Sequence, residues 1–109
     1  SVAGRLQETL EKLYKANTKK MNADVYKHLQ QLFGLLPAGA KEEDQTFVYM
    51  LKQSVINLGL NEAEWQNIES LHQEFDHLDL SADSGLYAEF KTQLGKIIAT
   101  KNALLTAKD

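Results

Sequence analysis

Glu69 and His72 stand three residues apart, a spacing that puts a carboxylate and an imidazole on one face of a helix. Carboxylate-bridged metal bundles use such Glu-x-x-His pairs twice, together with two further glutamates. Here the pattern occurs once. His72 and Asp76, four residues apart, could also share a cation, but the chain supplies no evident remaining ligands. The plainer reading puts His72 at the edge of an apolar stripe, bonded to a neighbour or a carbonyl. His28, His72 and His77 have no nucleophile at an informative spacing. No Gly-x-Ser-x-Gly elbow and no glycine-rich phosphate loop occurs; Gly34 and Gly39 merely flank Pro37. The chain has no cysteine, which excludes disulfides, thiol catalysis and Cys-ligated zinc or iron–sulfur centres. No catalytic residue, cofactor or metal is therefore expected.

The candidate binding residues are cationic. Lys19, Lys20 and Lys27 form a small basic cluster, with Lys12 and Lys15 nearby, that could meet an acidic partner or phosphates. The plainer reading is a solvated helix face. The net charge of −3 gives no broad cationic field, so direct nucleic-acid binding is not expected. Tyr26, Tyr49 and Tyr87 fall beside the apolar stripes, where they extend the core or anchor an interface.

The elements that would carry these residues are all helices. The 109 residues suit one domain, and the hydrophobic fraction of 43% suits one modest core. No apolar run reaches the length of a membrane span, and Ser1–Arg5 lacks the apolar segment of a leader. A start on Ser rather than Met reads as a piece of a longer protein.

The strongest boundary signal lies between Leu58 and Phe75. Gly59 can adopt the left-handed conformation that closes a helix. Asn61 is a helix N-cap, Glu64 completes a capping box, and Leu60 with Trp65 makes a hydrophobic staple. Trp65, Ile68, Leu71, His72 and Phe75 then form one stripe, read as the core of the central packing helix, running to about Leu78. A first helix is expected from about Gly4 to Ala16, with Glu8–Lys12 and Glu11–Lys15 pairs, broken at Asn17-Thr18. A second carries Met21, Val25, Leu29, Leu32, Phe33 and Leu36 and ends at Pro37–Ala40. A third starts near Glu42 and buries Phe47, Val48, Leu51, Val55 and Leu58. A fifth follows a turn at Leu80–Gly85, capped by Ser81 or Asp83. It shows Leu86, Phe90, Leu94, Ile97, Ile98, Leu104 and Leu105, is mildly weakened at Gly95, and frays past Ala99. The expected fold is all-α, a single antiparallel bundle of about five helices whose ordered core spans about 5–98.

Two stretches resemble a known family. One is Thr18-Lys19-Lys20-Met21-Asn22-Ala23-Asp24-Val25-Tyr26-Lys27-His28-Leu29-Gln30-Gln31-Leu32-Phe33, similar to that family's second helix. The other is Trp65 with His72 seven residues on, matching an aromatic and a histidine at the same spacing. The family is the helical domain shared by the steroid receptor RNA activator protein and the C-terminus of the COPII outer-coat scaffold subunit. The match runs from about Leu6 to Ile98. In the last helix the family's Trp-x-Val-Gly-Val-Lys run is replaced by Tyr87–Ile98. The resemblance implies a non-catalytic protein–protein interaction domain that helps coat assembly in transport from the endoplasmic reticulum to the Golgi. Its partners would be coat components. Its place would be the cytoplasm, at the cytosolic face of the endoplasmic reticulum and on transport vesicles, peripheral to membrane at most, with no small-molecule substrate. Trp65 and His72 carry over as structural positions. Two other readings stay open: an RNA-associated transcriptional co-regulator like the other family branch, and a small bacterial helical-bundle immunity protein.

Overall fold

The computed structural model describes residues 1–17, 19–36, 45–78 and 84–107, without the side chains of residues 76, 84 and 105–107. Among the described residues five α-helices make an antiparallel bundle: α1 (Val2–Ala16), α2 (Ala23–Leu35), α3 (Gln45–Leu58), α4 (Glu62–Glu74) and α5 (Ser84–Ala107). A 3-10 turn, Phe75–His77, extends α4. The expected start of α3 near Glu42, the Pro37–Ala40 stop, the Ser81 and Asp83 caps, Thr18 and the Leu105 side chain lie outside the described residues. No helix among the described residues is long and apolar enough to cross a membrane.

Local chemistry explains most boundaries. Ser1 Oγ accepts the Gly4 N–H at 3.1 Å, so α1 begins two residues before Gly4. Its buried face, from Val2 and Ala3 to Leu13, recurs every three to four residues. Glu11 and Lys15 pair at 2.8 Å. The Lys15 ammonium holds the Glu11 carboxyl below the usual carboxylate range, and Glu11 raises Lys15 in return. The pair thus holds at pH values between the two groups, and is lost on acidification through the carboxyl or on alkalinisation through the amine. Both side chains are exposed, so the pair is screened by salt and weighs little.

Asn17 turns the corner after α1. Its N–H donates to the Leu13 carbonyl, and its own carbonyl accepts from Lys20 and Met21. Met21 is buried but lies ahead of α2 rather than within it, because Asn22 Oδ1 caps that helix by accepting the Asp24 N–H at 2.7 Å. Leu36 leaves α2 in an extended conformation, as a residue before proline must.

The helix from Glu62 is shorter than its stripe suggested. It tightens after Glu74 into three residues per turn, which places Phe75 and Leu78 on the same side, and both are buried. Nor is α4 the hub. It packs on α2 and α5, whereas α2 touches α1, α3 and α4, and α5 touches α1, α3 and α4. The 24 residues of α5 span about 36 Å, close to the molecule's longest dimension of 39 Å. At the centre Phe90 of α5 meets Phe33 of α2 edge-on and stacks on Phe75, with ring centroids 6.0 Å apart in both pairs.

The sides of two stripes differ from expectation. In α3, Phe47, Leu51, Ser54 and Val55 are buried, while Val48 is 48% exposed. Ser54 fits there because its hydroxyl donates to the Met50 carbonyl at 2.7 Å, leaving no polar demand on the core. In α5, Tyr87, Gln93 and Lys101 are buried, and Leu86, Ile98 and Leu104 are half-buried. The helix continues past Ala99 to Ala107, and Val2, Ala3 and Lys101 are buried beyond the 5–98 core.

Candidate functional site

The joint between α3 and α4 builds a cleft. Gly59 has φ +64°, and its N–H donates to the Ile56 carbonyl at 3.2 Å, which closes α3. Two residues on, Asn61 Oδ1 accepts the Glu64 N–H and Glu64 Oε1 accepts the Asn61 N–H, both at 2.9 Å. This is the expected capping box. The joint is so short that the last turn of α3 and the first turn of α4 line one hollow, with the end of α5 across it. The hollow measures about 330 Å³ and is walled by Val55, Ile56, Leu60 and Leu104 around Trp65. Trp65 itself is 4% exposed.

The charged side of this cleft is Lys101, 5% exposed. Its ammonium donates to Glu69 Oε1 at 3.3 Å, lies 3.7 Å from Glu62 Oε1, and sits 5.8 Å from the centroid of the Trp65 ring. A buried ammonium needs such partners, because desolvation of an unpaired charge is costly. The ring adds a cation–π attraction. The Glu62 side chain is 65% exposed, so the rim of the cleft keeps a hydrated negative charge.

A second hollow of about 420 Å³ adjoins the first through Leu104, lined also by Lys52, Ala99, Thr100 and Ala103. The outer face of α3 exposes Val48 (48%), Tyr49 (60%) and Ile56 (54%), and Ile56 also lines the first hollow. The arrangement can seat apolar side chains between charged rims.

The residues singled out by chemistry are dispersed. Glu69 and His72 share a helix face but serve different neighbours: Glu69 binds Lys101, whereas the half-buried His72 ring lies against Gly95 of α5. Asp76 lies outside the described side chains. Among the described residues no three His, Asp or Glu side chains gather as a metal site. His28 Nε2 lies 3.2 Å from Glu64 Oε2, so Glu64 ties α2 to the cap of α4. Of the basic cluster, Lys19 and Lys20 are exposed in the α1–α2 turn and Lys27 is exposed on α2. Lys20 donates to the His77 carbonyl at 2.9 Å, a cap on the 3-10 turn, so part of the cluster serves the fold. Of the expected core residues, Trp65, Ile68, Leu71 and Phe75 are buried, whereas His72 is only half-buried. Tyr87 joins the core, Tyr26 stacks on Tyr14 at 4.1 Å, and Tyr49 is exposed.

Sequence reasoning missed Lys101. The signal was its position four residues after Ile97 and seven after Leu94, which continues the buried stripe of α5. It also left out what Gly95 touches. A Cβ there would come within 3.3 Å of His72 Nε2, so the glycine admits the imidazole. Gly95→Ala is therefore expected to be near neutral alone, contact strain offsetting a helix-propensity gain of up to about 1 kcal/mol. In a His72→Ala background the same change should be stabilising. Urea unfolding of the four proteins of this cycle checks it; additive effects would mean that ring and glycine are uncoupled.

Compared with protein-family models, curated proteins and solved structures, the chain matches none.

Proposed function

We propose that this chain is a non-catalytic protein–protein interaction domain that docks its partner on the face formed by α3 and the end of α5. The observation that carries this reading is the exposure of Val48, Tyr49 and Ile56 on α3, with Ile56 also walling the Trp65 cleft. Large apolar side chains grouped on one face, next to a hollow with an aromatic floor, are what a partner's anchor residues bury against. The resemblance of the second-helix stretch and of the Trp65–His72 spacing extends the proposal. The partners are coat subunits, and the setting is the cytosolic face of the endoplasmic reticulum and its transport vesicles. One small face gives modest affinity. Many tethered copies in one lattice raise it through effective concentration.

The test is a pull-down from eukaryotic cytosol, comparing the native chain with Ile56→Asp. Ile56 is exposed, so the substitution should leave the melting temperature nearly unchanged. Coat subunits retained by the native chain and lost with Ile56→Asp are expected. Identical recovery by both proteins would overturn the docking face. Face-dependent recovery of splicing or transcription factors would keep the face and replace the coat assignment.

A further inference from the structure

We infer that the stacked pair Tyr14–Tyr26 is a site of oxidative modification, where a peroxide-driven one-electron oxidant joins α1 to α2 through a dityrosine bond. The two rings lie 9° from parallel, with centroids 4.1 Å apart. Tyr14 stands near the end of α1 and Tyr26 near the start of α2, on either side of the turn that Asn17 makes. The fold holds both in place. Their chain neighbours Leu13 and Val25 are buried, and Gln30 Nε2 donates to Tyr26 Oη at 3.1 Å. Both tyrosines are half-buried, so an oxidant in solution reaches the pair and phenolic protons can leave to water. Stacking suits the chemistry. A phenoxyl radical carries much of its unpaired spin on the ortho carbons, in orbitals perpendicular to the ring. In a parallel stack those orbitals point at the other ring, so two radicals already stand in a near-attack arrangement. Each phenol first loses one electron and its hydroxyl proton. The two radicals then form one bond between ortho carbons. The hydrogen on each of those carbons leaves as a proton, and each oxygen takes up a proton, which restores both phenols. Two electrons and two protons are released in all. They break the O–O bond of one peroxide; hydrogen peroxide becomes two waters. The chain has no cysteine, so no disulfide can make such a link. The dityrosine bond takes that part, and restricts the unfolded chain as a disulfide would.

The test photo-oxidises the dilute native chain with tris(bipyridyl)ruthenium and persulfate, itself a peroxide. The expected product is a monomer lighter by two hydrogen atoms that shows dityrosine emission. After trypsin, the peptide of residues 13–15 should be joined to that of residues 21–27. Coupling should run about tenfold faster in the native chain than in urea, where the two rings must find each other by diffusion. The cross-linked monomer should in turn need more urea to unfold than the unmodified chain. Tyr14→Phe keeps the stacked ring without its phenol, so this variant should fold like the native chain and lose the product. Tyr49→Phe removes the tyrosine that is 60% exposed on α3, and should leave the product intact. A native monomer of unchanged mass, a link that maps to Tyr49 or Tyr87, a product that survives in Tyr14→Phe or disappears in Tyr49→Phe, or equal rates in the folded and unfolded chains would overturn the proposal.

Discussion

Trp65→Ala is expected to lower stability by about 3–5 kcal/mol, the range for truncating a large buried aromatic. For a domain of this size that is a fall in melting temperature of roughly 12–20 °C. The ring is 4% exposed, walls the cleft beside Leu60 and Leu104, and lies under the Lys101 ammonium. Its loss opens the cleft into the core beneath it. It also removes the cation–π partner of an ammonium that has little access to water. Trp65→Phe keeps an aromatic wall and should cost much less, about 1–1.5 kcal/mol. Thermal and urea unfolding measure both. A melting temperature of Trp65→Ala within a few degrees of the native value would remove the ring from the packing of this bundle.

Lys101→Glu is expected to cost about as much, roughly 3–5 kcal/mol, because it leaves a buried charge without its counter-ion. The new carboxylate would stand beside Glu69 and Glu62, at the positions the ammonium now approaches to 3.3 and 3.7 Å. The repulsion is partly screened, so added salt should recover part of the loss. Lys101→Met gives the contrasting result. It keeps an unbranched apolar chain at a buried position and removes the charge, while Glu69 and the more exposed Glu62 can be rehydrated. It should stay within about 1 kcal/mol of the native chain, because the two glutamates left behind are partly exposed and water replaces the ammonium at their oxygens. Urea unfolding of both variants at low and high salt tests the argument. If Lys101→Met falls as far as Lys101→Glu, pairing itself is what that end of α5 requires.

The legible parts of this chain are those whose physical cause lies within a few residues. The α3–α4 joint is the clearest. Gly59, Asn61 and Glu64 hold the expected conformation and bonds because each needs only its neighbours. Trp65, Ile68, Leu71 and Phe75 are buried for a similar reason, since their spacing defines one face of one helix. Val48 shows where such reading stops. It sits one position from Phe47, and which of the two turns inward depends on how α3 lies against α2 and α5. The candidate site was harder to read still, because its parts are far apart in the chain. Lys101 meets Glu62 and Glu69 only where α5 crosses the start of α4. Gly95, a defect by helix propensity, is the contact that lets His72 approach. Glu69 and His72, a single motif on paper, turn to different partners.

By itself the sequence determined that the chain is helical, where α4 begins, and which apolar faces the helices offer, since capping and periodicity act over one or two turns. The tertiary structure alone decided that α2 and α5 are the hubs, that Lys101 is buried on Trp65, and that Val48, Tyr49 and Ile56 remain outside. Burial and charge pairing depend on what distant segments place alongside a residue, and that placement is a property of the whole packed bundle.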